Sequence, residues 1–197
     1  MIRSMQCLSI VQNYSKFTDS LDIEIRMKTS KPRTDLIKIV NVKGLQQYVD
    51  DSILFWKGLD QQFDMEYQKR AQEAVAHVRF KDKVLGISTG ALVYHAPLKS
   101  YVYLYRCYLK EEIRLPGLDA QLLLESFTII EEFNKNNPLA IGVLVVSQAE
   151  FIRGWNKAIW PGTEMMFIGN TPKGYPVRIR YFEGVKVLPV EQVSKES

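Results

Sequence analysis

Apolar and polar residues alternate with period two along Asp22-Ile23-Glu24-Ile25-Arg26-Met27-Lys28, which predicts a half-buried first strand. The polar, proline-containing stretch Thr29 to Asp35 predicts a loop between elements. After the short apolar stretch Ile37 to Val42 the period lengthens. Leu45, Tyr48, Val49, Ser52, Ile53 and Trp56 recur at helical spacing, and Phe63, Tyr67, Ala71 and Ala74 do so again beyond Gly58, so two helices are predicted. Val75 to Phe80 and Val84 to Tyr94 flank a Lys81-Asp82-Lys83 turn and read as two antiparallel strands, the second closed by Pro97.

Tyr101 to Leu109 (YVYLYRCYL) is dense in aromatic and branched residues, which suit a central strand covered on both faces. Its pleat sends Tyr101, Tyr103, Tyr105 and Cys107 to one face and Val102, Leu104, Arg106 and Tyr108 to the other. From Leu118 the spacing is helical again, with Ala120, Leu123, Leu124, Phe127 and Ile130 on the apolar face and an end near Asn134. Beyond Pro138 the apolar run Leu139 to Val146 predicts a buried strand, followed by a shorter helix from about Gln148 that cannot pass Pro161. Glu164 to Gly169, Val177 to Phe182 and a short piece near Val185 to Leu188 complete the strands. The sum is an α/β (α+β) chain: a single mixed, mostly antiparallel sheet of about seven strands flanked by about four helices.

Composition supports one domain over residues 1–197, with a polar tail, Glu191 to Ser197, that is expected to fray. Apolar residues make up 46% and charged residues 24%, which excludes a disordered or fibrous chain. Cys7 and Cys107 stand far apart, and with His77 and His95 they lack metal-ligand spacing, so no metal site is expected. Met1 to Phe17 is interrupted by Gln6, Gln12, Asn13 and Lys16 and lacks the apolar run of a secretory signal. No segment has the length of apolar residues that a membrane span needs, so a cytoplasmic location is expected. The formal charge of +4 favours anionic ligands but is not gathered into the basic stripe of a nucleic-acid binder.

Chemistry concentrates where the aromatic strand gives way to the long helix, at Leu109-Lys110-Glu111-Glu112-Ile113-Arg114-Leu115-Pro116-Gly117-Leu118-Asp119-Ala120. A helix start exposes unpaired N–H groups and the positive end of the helix dipole, Gly117 lets backbone approach a ligand, and Arg114 can pair with phosphate oxygens. Such a turn can hold a pyrophosphate. The loop alone equally fits a plain Pro-Gly turn with a solvated arginine, and the order of elements around it has to decide.

That order, with Arg114-Leu115-Pro116-Gly117-Leu118-Asp119 in the loop, resembles the GNAT superfamily of N-acetyltransferases, whose signature at this junction is Arg/Gln-x-x-Gly-x-Gly/Ala. The resemblance covers roughly Val75 to Phe182 in element order and is most specific from Tyr103 to Leu124. It implies that acetyl-CoA or another acyl-CoA is the cosubstrate, its pyrophosphate held by Arg114 and by N–H groups of Leu115, Gly117, Leu118, Asp119 and Ala120. It further implies that the splayed end of the strand Tyr103 to Leu109, with Cys107 and Leu109, bonds pantetheine like an added strand, with the acyl carbon near Arg106 to Tyr108. An amine on a small molecule or a protein would be the acceptor. Asp119 departs from the pattern: a carboxylate repels phosphates there, although a short acidic side chain can also cap the helix.

The family often supplies a tyrosine after the buried strand as acid for the departing thiolate, whereas Phe151 to Pro161 contains tryptophans and no tyrosine. Tyr108 is the substitute candidate, and packing is its alternative role. Glu111 is the candidate base, with Glu112, Glu164 and His95 as alternatives, and solvated surface charge is the competing reading for each. Trp155, Trp160, Met165 and Met166 could line an acceptor pocket or pack in the core. Two further readings stay open: a degenerate fold that binds without turnover, and a nucleic-acid base modifier resembling the adenine-modification protein of bacteriophage Mu.

Overall fold

β-branched and aromatic residues gather in short runs along the chain, and these runs assemble into one eight-stranded sheet of order β1-β2-β3-β4-β5-β8-β7-β6. The computed structural model describes residues 37–59, 66–115, 117–147 and 158–185. In chain order the strands are β1 (Ile37–Asn41), β2 (Ala74–Phe80), β3 (Lys83–His95), β4 (Ser100–Leu109), β5 (Gly142–Val146), β6 (Ile159–Trp160), β7 (Met165–Asn170) and β8 (Pro176–Tyr181). The helices are α1 (Val49–Lys57), α2 (Tyr67–Gln72) and α3 (Leu118–Asn136). All neighbouring strands are antiparallel except β4 and β5, because α3 carries the chain back to the start of the sheet between them.

Among the described residues six predicted strands are present and two more, β1 and β6, join them, and two differences have local causes. Ile37 to Val42, read only as an apolar stretch, is a strand, since Ile37, Ile39 and Val40 pack on the sheet's two faces while its backbone pairs with β2. The first helix begins at Val49 and not at Leu45, because a 3-10 turn, Gln46–Tyr48, comes first and leaves Leu45 exposed. The predicted strand at Asp22 to Lys28, the helix from Gln148, most of the last strand near Val185 and the tail lie outside the described residues.

α3 lies on one face of the sheet. Its inward residues are Leu118, Leu122, Leu123, Ser126, Phe127, Ile130 and Asn134, so Leu123, Phe127 and Ile130 are buried as predicted, Leu122 joins them and Ala120 and Leu124 are half-buried at the margin. They meet Tyr103, Tyr105, Cys107 and Leu109 from β4, as the pleat required. Burying a large apolar side chain stabilises by about 1.5–3 kcal/mol, so this stripe dominates the energetics of the helix. At its end Asn134 Oδ1 accepts from the N–H groups of Leu139 and Ala140, at 3.2 and 3.1 Å, and aims the chain into β5.

α1 covers the other face. Phe55 and Trp56 pack with Val42, Ala74 and Ile87, and Tyr108 joins them from β4. Beneath α1 the buried His77 of β2 meets Ser52 Oγ through Nε2 at 2.8 Å, and Ser52 donates to the carbonyl of Tyr48 at 3.0 Å. The serine proton is committed to that carbonyl, so His77 Nε2 carries the proton in its own bond.

Candidate functional site

β4 has two unlike edges. Against β3 it is paired from Gly86↔Leu109 to His95↔Ser100. Against β5 the register consists of Tyr103↔Val143, Leu104↔Leu144 and Tyr105↔Val145, after which β4 continues to Leu109 while β5 stops at Val146. The two strands part at the centre of the sheet, with the second half of β4 held from its β3 side. Among the described residues, the pairing of β4 with β5 thus ends at Tyr105.

The loop at the end of β4 closes the same region. Lys110 N–H bonds to Leu85 C=O at 2.9 Å, then Glu111–Ile113 makes a 3-10 turn that buries Ile113 in the core. Arg114 follows; its Nε donates to the carbonyl of Leu109 at 3.4 Å, so the guanidinium folds back over the end of the strand. Gly117 occupies the N-cap of α3 with φ of 82°, a left-handed conformation that glycine adopts without steric cost, and a side chain there would meet only open space.

The predicted donors divide into two groups. Leu115 N–H bonds to Ile113 C=O at 2.8 Å and Leu118 N–H to Leu115 C=O at 3.2 Å, so these two serve the turn itself. Asp119 stands in the first turn, where burial pushes its carboxyl above the usual range while the N–H groups of Ala120 and of Asp119 draw it back down. The acid thus faces the very amides that a phosphate would use. Cys107 and Leu109 direct their side chains into the α3-side core, so contact between them and a ligand in the opening would run through backbone.

The candidate acid and base have plain surroundings. Tyr108 lies half-buried with its ring edge-on to Phe55 and Trp56, at 5.8 and 6.4 Å between centroids, on the α1 face. Glu111 and Glu112 are exposed at the end of β4. Glu164 is paired with Arg180 at 2.8 Å, and His95 lies at the far end of β3, where burial lowers its pKa. Met165 is buried in the core, Trp160 packs at its margin and Met166 is exposed; Trp155 lies outside the described residues.

Sequence reasoning passed over Arg178. Its register row runs Tyr105↔Val145↔Arg178↔Phe167, beside the point where β4 and β5 part, and its guanidinium is buried and donates to Met165 C=O at 3.4 Å. The alternation Val177-Arg178-Ile179-Arg180 was the available signal, since period two in a strand between covered neighbours places both arginines on one packed face. Among the described residues no three His, Cys, Asp or Glu side chains gather to hold a metal ion, and no helix is long and apolar enough to cross a membrane.

No protein-family model matches the sequence, and no curated protein matches it. Solved structures are similar in fold. A bacterial toxin superimposes with a TM-score of 0.50 at 12% identity, covering 74% of this chain and 90% of its own. A GNAT-family acetyltransferase from Streptococcus pneumoniae gives 0.49 at 10% identity, covering 74% of this chain and 99% of its own. The AtaT toxin, solved with the C-terminus of the antitoxin AtaR and acetyl-CoA, gives 0.42 at 13% identity, covering 74% of this chain and 91% of its own. With its mixed sheet, one parallel pair at the centre and a glycine-led helix behind it, the chain shares its fold with the first of these, the bacterial toxin.

Proposed function

We propose that the protein is an acyl-CoA-dependent N-acyltransferase. The observation that carries this reading is the opening between β4 and β5, which ends beside the glycine-led start of α3. In this reading the pyrophosphate of acetyl-CoA, or of another acyl-CoA, lies against Gly117, Asp119 and Ala120 with Arg114 beside it. Pantetheine follows Cys107 to Leu109 through backbone bonds. The acyl carbon stands near Arg106 to Tyr108.

The chemistry is direct. The nitrogen of a neutral amine attacks the thioester carbonyl, a strand N–H supports the developing oxyanion, and the carbon–sulfur bond breaks to release CoA thiol. The amine must lose a proton and the thiolate must gain one. Glu111, exposed at the strand's end, is the candidate to accept the first through water, and Tyr108 is the candidate to supply the second. The acceptor is an amine of a small molecule or a protein.

Calorimetric titration with CoA tests the reading. Binding is expected, weakened roughly tenfold to a hundredfold in Arg114→Ala, because a charge-assisted pair with phosphate contributes about 1.5–3 kcal/mol. No heat with the unaltered protein, or an unchanged affinity in Arg114→Ala, would contradict it. Asp119 favours a second reading, a module that holds CoA without turnover. Thiol release from acetyl-CoA in the presence of an amine panel separates the two, since the second reading yields binding heat and no thiol.

A further inference from the structure

Between α1, α2 and the turn after β1, the α1 side of the sheet holds a half-open cavity of about 160 Å³. Its buried floor is made by Val42, Ser52, Ala71 and Ala74, and the exposed Gln46 and Gln72 stand at its mouth. A cavity of about 150 Å³ is large enough for benzene, so this one has room for a molecule of roughly six or seven heavy atoms.

We propose that this cavity binds a small uncharged molecule with an apolar body and one O–H or N–H donor. Ser52 decides the polar part. A serine hydroxyl carries one proton and two lone pairs. The proton goes to the carbonyl of Tyr48 at 3.0 Å, and one lone pair takes the Nε2–H of His77 at 2.8 Å. One lone pair remains, and a ligand can satisfy it only by donating. The carbonyls around it are already engaged: Val42 accepts from Leu45 and Leu45 from Tyr48, both at 3.1 Å, and Gln46 accepts from Val49.

The walls decide the rest. Val42, Leu45, Val49, Ala71 and Ala74 are apolar, and none of the described lining residues carries a charge. A charged ligand would lose hydration there with no ion to offset the loss, and a ligand without a donor would leave the Ser52 lone pair without a partner.

The cavity is separate from the proposed cosubstrate site. Ala74 at its floor pairs with Thr89, and Thr89 pairs with Arg106 of β4. Two strand spacings, roughly 10 Å at about 4.8 Å each, therefore lie between the cavity and the second half of β4. Binding here is independent of the acyltransferase reading. Because the walls belong to the turn after β1, to α1, to α2 and to the start of β2, an occupant fastens both helices to the sheet.

Backbone amide shifts of the full chain, titrated with phenol and with toluene, test the proposal, since the two probes have the same shape and only phenol donates. Phenol is expected to move the amides of Ser52, Ala71 and Ala74 and to bind about threefold or more tightly than toluene, whereas a cavity that selects only apolar surface would prefer toluene. Ser52→Ala is expected to reverse that order. Ala71→Leu is expected to fill the floor and weaken both probes roughly tenfold or more, with an unchanged far-ultraviolet circular dichroism spectrum. If Ser52→Ala unfolds, the ratio of the two probes in the unaltered protein decides. No shift at these amides, toluene bound as tightly as phenol or more so, or full phenol affinity in Ala71→Leu would overturn the proposal. CoA affinity is expected to be unchanged in Ala71→Leu, so a failed CoA titration bears on the cosubstrate reading alone.

Discussion

The two edges of β4 do opposite things. Along β3 it is bound by a register that runs from Gly86↔Leu109 to His95↔Ser100, whereas along β5 the pairing ends at Tyr105↔Val145. The closed side is backed by buried polar bonds, Ser88 Oγ to Ser126 Oγ and His77 to Ser52, both at 2.8 Å, which tie β3 to α3 and β2 to α1. The difference shows how a sheet can contain a cleft without losing its core. A strand paired along its full length with one neighbour and covered on both faces keeps its shape where its pairing with the other neighbour ends.

The largest expected effect comes from disturbing the strand that forms the far wall of the cleft. A Cβ on Gly142 would collide with the carbonyl oxygen of Arg180 and stand 2.9 Å from Cα of Tyr181, both backbone atoms that cannot rotate aside. Gly142→Ala should push β5 from β8 and cost roughly 3 kcal/mol in urea unfolding, at the upper end of overpacking effects. A cost below 1 kcal/mol would mean that β5 is not fixed in this place.

The closed side should respond to acid. Burial, assisted by Arg79 and opposed by Asp51, lowers the pKa of His77 from 6.5 to about 4. The unfolded chain therefore binds a proton more readily than the folded one between these values, so the contribution is fully present above 6.5 and is lost as pH falls through about 4. A decline of about 3 kcal/mol across that window is expected from this residue. Urea unfolding at several pH values measures it, and the slope should flatten by that amount in His77→Gln.

A smaller loss is expected in Ser52→Ala, which leaves the buried Nε2–H of His77 without its acceptor at a cost of about 1–3 kcal/mol. Thermal unfolding at neutral pH reads it, and no change would show that the pair adds nothing to the closed side. The smallest effect belongs to the open side. Asp119→Asn removes a carboxylate that faces the amides of the helix start, and CoA should bind about threefold more tightly by calorimetry, a gain of the size given by one charge at a helix terminus. Weaker binding would show that Asp119 supports the cosubstrate and does not compete with it.

Much of the closed side was legible in the sequence. The run Val84 to Tyr94, the aromatic and branched residues of Tyr101 to Leu109, the Lys81-Asp82-Lys83 turn and the helical stripe from Leu118 are local signals, and each matches an observed element to within a few residues. β6 was not legible, because two residues, Ile159 and Trp160, carry no periodicity and are strand only through pairing with Met165 and Met166. The parting of β4 from β5 was expected only through the family resemblance, since nothing local in YVYLYRCYL marks where pairing with a distant strand ends. The commitment of the Leu115 and Leu118 amides to the turn was likewise hidden, because it depends on the path from Ile113 to Gly117 and not on residue type. The place of Gly117 at the helix start, by contrast, was readable from the change of spacing at Leu118.

The most direct test is a map of backbone amide shifts on adding CoA. Perturbations are expected at Gly117, Asp119 and Ala120, along Arg106 to Leu109 and at Val145 and Val146, with Ser52 and His77 unmoved. Shifts confined to the α1 side, or none at all at saturating CoA, would contradict a cosubstrate site in the opening between β4 and β5.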